Sequence, residues 1–164
     1  DDQIPESSVL RTVYNSQEFK DFLVDVLDEK TLFPYADHMS SINLHYAKTG
    51  QELGWHFDNS SFAITLMIQP AIEGGEFEYV RHVRDADNSE MNFSVTDSII
   101  SGKTKPNKLA QSAGALVLFR GRNAIHRVTP NLGRKTRMLV VLAYNNQPGI
   151  ALSETAAKTF YGRN

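Results

Sequence analysis

The chain has 164 residues, 41% of them hydrophobic and 22% charged, which suits one soluble globular domain with a sizeable core. A net charge of −2 gives no global attraction for nucleic acid or anionic membranes, and the absence of cysteine excludes disulfides, thiolate metal sites and a cysteine nucleophile. No apolar run approaches the roughly 18 uncharged residues needed to cross a bilayer. The opening DDQIPESS does not have the basic-then-apolar pattern of a signal peptide, so a cytoplasmic protein is expected.

The first predicted element is a helix beginning near Asn15-Ser16. Phe19, Phe22, Leu23, Val26 and Leu27 fall at i, i+3, i+4, i+7 and i+8, a single helical stripe. Asn15 with Glu18 resembles a capping box, and Pro34 lies beyond the end of the pattern. The period then changes. Stretches 41–47, 53–57, 62–69, 75–80, 114–119, 124–129 and 137–144 are rich in β-branched and aromatic residues and read as strands. Turn-forming runs such as DNSS, PAIEGG and PNLGRK separate them, which predicts an antiparallel sandwich or barrel. Gly74-Gly75 permits a tight strand connection, since no helix follows to make a phosphate site. Segment 81–113 is a long polar insertion with a short helix near 93–100, and long insertions in compact domains are usually functional or mobile. The tail 148–164 carries a final short helix.

Chemistry concentrates in GWHFDNSSF, residues 54–62. On a strand, His56 and Asp58 share one face while Trp55 and Phe57 share the other and can pack against the N-terminal helix. Burying an imidazole and a carboxylate is costly without a partner, and a divalent ion would supply one. His126, after the FRGRN turn, is the candidate third ligand. Two histidines and one carboxylate on one side of an ion form the facial triad of non-haem Fe(II) oxygenases, whereas zinc prefers four-coordinate closure. Arg137, eleven residues on, can clamp a dicarboxylate through a bidentate pair. A simple buried hydrogen bond is the competing explanation for His56 and Asp58 as a pair. His38, His45 and His82 show no ligand spacing and read as ordinary polar residues. Trp55, Phe57, Phe62, Phe77 and Phe119 read as core.

The strings HFD, EGGEFEYV, LFRGRNAIHRVTP and RMLVVLAY together resemble the Fe(II)/2-oxoglutarate-dependent oxygenase superfamily over roughly residues 40–147. FRGRNAIHRVTP and the closing PGIALSETAAKTFYGR are most similar to its free-standing amino-acid hydroxylases and halogenases. The resemblance implies a mainly β fold, a cupin-like double-stranded β-helix (jelly-roll) with an N-terminal helix packed on one sheet. Its core would span 41–147, with 81–113 as a flap. It implies Fe(II) held by His56, Asp58 and His126, with 2-oxoglutarate as cosubstrate and O2 as oxidant. Arg137 would hold the distal carboxylate of 2-oxoglutarate, assisted by Tyr46 and Thr65. Halogenases of the family carry a small residue where Asp58 stands, so hydroxylation or a related oxidation is expected, with release of succinate and CO2. Asn59, Arg122 and Asn123 are expected to place a small-molecule substrate, an amino acid or close derivative. Family members usually carry a longer N-terminal part that covers the substrate, and here about 40 residues precede the first core strand. The alternatives are the same chemistry on a peptide residue, or a non-catalytic metal-binding jelly-roll. Nothing in the sequence sets the oligomeric state.

Overall fold

Two serines start the fold. In the computed structural model, which describes residues 2–162, Ser8 caps helix α1 (Val9–Asn15) and Ser16 caps helix α2 (Gln17–Leu27). Each hydroxyl accepts a backbone N–H from the first helical turn, Leu10 and Phe19 respectively. The sequence pattern suggested one helix capped at Asn15. Instead Ser16 both ends α1 and begins α2, and Glu18 accepts from the Ser16 hydroxyl at 2.8 Å. Helix α1 was not expected: it has only seven residues, three of them β-branched, although Leu10, Val13 and Tyr14 form a short apolar stripe that packs on the core. Of the predicted stripe, Leu23 and Leu27 are buried and Phe19 packs against the core, while Phe22 and Val26 remain 47% and 57% exposed.

The strands are β1 (Phe33–Pro34), β2 (Ile42–Ala47), β3 (Leu53–His56), β4 (Phe62–Gln69), β5 (Phe77–Val80), β6 (Asn107–Leu109), β7 (Leu116–Phe119), β8 (Ile125–Val128) and β9 (Arg137–Asn145). Helix α3 (Phe93–Ile100) lies between β5 and β6, and α4 (Glu154–Tyr161) closes the described chain. The strands form two antiparallel sheets. One has the order β1-β9-β4-β7, with β2 also on β9, and the other β3-β8-β5-β6. Two facing antiparallel sheets wound from alternating strands make the double-stranded β-helix.

Strand alternation assigns each face of the first sheet. Ile42, Ile64, Val140 and Leu142 point outward into a cluster with Leu23, Leu27 and Tyr14 of the helices. Tyr14 and Tyr144 stack at 4.6 Å and exchange backbone partners: the Tyr14 hydroxyl donates to Ala143 O, and Tyr144 to Tyr14 O. The inward positions of the same strands face the second sheet, and there the candidate site lies.

Trp55 and Phe57 do not meet the N-terminal helices, contrary to expectation. They pack on the outer face of the second sheet with Val83, Ile99 and Ile125. The helices already cover the other sheet, so α3 serves this face. Segment 81–113 is therefore largely built into the second layer: Ile99 is 2% exposed, and β6 hydrogen-bonds β5 as its edge strand. No helix among the described residues is long and apolar enough to cross a membrane.

Asp37 ties the two ends of the chain together. It accepts from the backbone N–H groups of Met39, Ser40 and Leu152 at 2.8–2.9 Å. Burial pushes its carboxyl up, but those hydrogen bonds outweigh burial and hold its pKa below the ordinary value. A depressed carboxylate contributes stability that is present above the unfolded value and is lost as pH falls through the native one. Asp37→Ala is expected to cost about 1–3 kcal/mol at neutral pH. The gap to wild type should close in acid, as read from thermal unfolding between pH 3 and 7.

Candidate metal and cosubstrate site

His56 and His126 are cross-strand partners in the β3–β8 pairing, which brings residues seventy positions apart onto one patch. Their rings lie 4.1 Å apart between centroids. Asp58 follows just past the end of β3, where its N–H donates to Gly121 O at 3.1 Å. One carboxylate oxygen, Oδ1, stands 3.7 Å from His56 Nε2 and 3.5 Å from His126 Nε2. One ligand atom from each of the three residues lies within 4.8 Å of the others.

Both histidines use the same local device. Nδ1 of His56 donates to Gly54 O at 2.8 Å, and Nδ1 of His126 to Ala124 O at 3.0 Å. A carbonyl only accepts, so each Nδ1 carries the proton and each Nε2 presents its lone pair towards Asp58. Such second contacts fix tautomer and ring orientation in metal-binding histidines. Burial and the neighbouring His126 push the His56 pKa down, which favours the neutral, ligating imidazole. Burial pushes Asp58 up, but the adjacent His126, His56 and His45 rings outweigh burial and hold its pKa below the ordinary carboxylate value. The second oxygen, Oδ2, is buried with no hydrogen-bond partner. Two neutral imidazoles and one carboxylate are a donor set that fits a divalent iron.

The three residues line a cavity of about 150 Å³ between the sheets. Arg137, at the start of β9, opens into the same cavity and is 3% exposed. Its Nε donates to Gly75 O at 3.1 Å and its Nη2 to Gln111 Oε1 at 3.3 Å. No described carboxylate pairs with it, and burial alone lowers its pKa. Gly75, at φ 62°, lies so close that a Cβ there would stand 3.0 Å from Arg137 Cδ. A buried guanidinium held only by two neutral acceptors is costly, and an anion in the cavity would offset that cost.

The comparisons can be set beside this geometry. A family model described as HalD, Halogenase D, matches residues 2–160. The chain belongs to the Halogenase D family. No curated protein matches. Among solved structures the chain is similar to a 2OG-Fe(II) oxygenase family oxidoreductase from Burkholderia pseudomallei, at 16% identity and a TM-score of 0.65 over 90% of this chain. It is similar to AviO1 from Streptomyces viridochromogenes Tue57, at 16% identity and a TM-score of 0.66 over 93% of the chain. A Pseudomonas putida prolyl-4-hydroxylase matches 88% of the chain at 12% identity and a TM-score of 0.53. These likenesses carry the fold, the double-stranded β-helix. The chain spans 59%, 66% and 71% of the length of those three proteins.

For this Halogenase D family chain, the remaining expected site residues divide. Thr65, on β4 opposite Val141 and Val117, and Asn59, just past Asp58, line the cavity. Tyr46 does not. Strand β2 turns Asn43 and His45 inward, so Tyr46 points outward and is 59% exposed. Tyr46→Ala should therefore leave cosubstrate affinity within about 0.5 kcal/mol of wild type, as surface substitutions usually do. Titration with 2-oxoglutarate checks this. Arg122 and Asn123 also lie outside the cavity. Arg122 pairs with Asp87 at 3.0 Å and donates to Asn59 O at 3.2 Å. The Asn123 side-chain oxygen accepts from Ala86 N–H, and its backbone oxygen from Val83 N–H. Both residues pin segment 83–87 to the β7–β8 turn.

The sequence reading missed four contributors. His45 lines the cavity, and burial and Arg137 push its pKa down. Its inward phase follows from Ile42, three residues earlier on β2, which packs outward into the helix-covered core. Gln111 reaches Arg137 from the loop just past β6, with no signal in the sequence. Phe119 and Phe77 were read as core, but they wall the cavity with ring centroids 4.8 and 5.6 Å from that of His126.

Proposed function

We propose that this domain is a non-haem Fe(II)- and 2-oxoglutarate-dependent dioxygenase. Its substrate would be a small free amino acid or close derivative, oxidised at a C–H bond with release of succinate and CO2. The carrying observation is one cavity that holds both a His56, Asp58, His126 cluster and a buried guanidinium, Arg137, lacking a described carboxylate partner.

His56 Nε2, His126 Nε2 and an Asp58 oxygen would hold the iron, and Arg137 would pair with the distal carboxylate of 2-oxoglutarate. Thr65 and His45 add hydrogen-bonding groups to the cosubstrate end. Iron bound here would couple oxidative decarboxylation of the cosubstrate by O2 to oxidation of the substrate carbon. Phe77, Phe119 and Val117 keep that end of the cavity apolar and exclude water. Although the family takes its name from a halogenase, Asp58 fills the third protein position at the metal. That favours hydroxylation, cyclisation or desaturation over halide transfer. A cavity set between the two sheets, with one open mouth, accommodates a small molecule.

The test is anaerobic addition of Fe(II) and then 2-oxoglutarate, watching for the weak visible metal-to-ligand charge-transfer band of the chelate. A band supports the reading and justifies screening amino acids for O2-dependent succinate release. Bound metal with no band would sink it in favour of a non-catalytic metal-binding module.

A further inference from the structure

We propose that Gly121 is a positioning residue for Asp58: its missing side chain is the space that the carboxylate occupies, and its backbone sets which oxygen faces the metal. The inference rests on the iron site proposed above and goes beyond its ligands.

Gly121 is buried in the turn between β7 and β8. Its φ is not among the positive values of the chain, so its backbone conformation is open to other residues. Space is what demands glycine. A Cβ built there would fall on Asp58 Oδ2, 2.5 Å from Cγ and 3.0 Å from Cβ. The contacts are with the rigid root of a short side chain, and the same backbone grips that root. Asp58 N–H donates to Gly121 O at 3.1 Å, and the guanidinium of the next residue, Arg122, donates through Nη1 to Asn59 O at 3.2 Å. The turn thus holds residues 58 and 59 on either side of the glycine. With Oδ2 pressed against Gly121 and lacking any hydrogen bond, Oδ1 is left facing the two Nε2 atoms. In this chain the orientation of the carboxylate comes from packing and backbone contacts, while the histidines are oriented by hydrogen bonds to their own strands.

The experiment compares wild type, Gly121→Ala, Asp58→Gly and the double variant. Anaerobic Fe(II) titration gives affinity, and thermal unfolding of the metal-free proteins gives stability. Gly121→Ala is expected to lose Fe(II) affinity at least tenfold and to unfold at lower temperature. In the Asp58→Gly background the same change should cost no further affinity, and the double variant should regain the stability lost by Gly121→Ala. That non-additivity belongs to a residue acting through Asp58 and not to one needed for the turn itself. Wild-type affinity in Gly121→Ala would overturn the inference, as would a double variant no more stable than Gly121→Ala. Wild type that binds no Fe(II) would instead remove the iron site, and the role assigned to Gly121 with it.

Discussion

His126→Ala is expected to abolish O2-dependent succinate release and to weaken Fe(II) binding by more than about 100-fold. Changes to groups that merely orient a ligand cost about 10–100-fold, and this change removes a ligand. The effect should be large because His126 is committed to the role. Its Nδ1 proton is held by Ala124 O, its ring packs against both Phe77 and Phe119, and Nε2 faces Asp58. No other described imidazole stands in reach to replace it: His45 lines the cavity but is not in the three-residue cluster. Anaerobic calorimetric titration with Fe(II) reads the loss. Retained affinity would show that the ion, if bound, does not use this cluster. Binding should also weaken in wild type as acid protonates the imidazoles, since a ligating nitrogen must be unprotonated.

The second large effect is at the other end of the cavity. Arg137→Ala should leave Fe(II) affinity unchanged but weaken 2-oxoglutarate binding by about 2–5 kcal/mol, the usual cost of truncating one partner of a buried charge pair. Through the usual tenfold per 1.4 kcal/mol, that is between about 30-fold and several thousand-fold. The metal-free protein should lose little stability, because a guanidinium at 3% exposure with only Gly75 O and Gln111 as recorded partners is itself a cost to folding. Arg137→Lys keeps the charge and loses the planar fork, so its affinity should fall between the two. Titrating 2-oxoglutarate against the charge-transfer band separates the cases. An unchanged titration in Arg137→Ala would mean that the cosubstrate's anion is held elsewhere.

Much of the fold was legible because its strands carry their own signal. Seven stretches of β-branched and aromatic residues became β2, β3, β4, β5, β7, β8 and β9, nearly at their expected bounds. What escaped was short: β1 has two residues, β6 three, and α1 seven. Elements of that size are stabilised by neighbours rather than by local preference. The candidate site was legible in its ionisable members for a related reason. A histidine, an aspartate and an arginine in apolar strands imply compensation wherever they lie, so His56, Asp58, His126 and Arg137 stood out.

Which face each residue took was another matter. Tyr46 and His45 are adjacent on β2, and one step in phase moves a side chain from the cavity to the surface. Only the pairing of β2 with β9, Ile42 opposite Leu142 and His45 opposite Leu139, set that phase. Arg122 and Asn123 looked like cavity residues from their nearness to His126, but the turn directs them to segment 83–87. Gly121 carried no mark at all, since the need for an absent side chain exists only where another residue occupies its space. The sequence by itself determined the strands, the buried ionisable groups and the chemistry those groups imply. The tertiary structure alone decided phase, facing and close approach, because these depend on contacts between residues far apart in the chain.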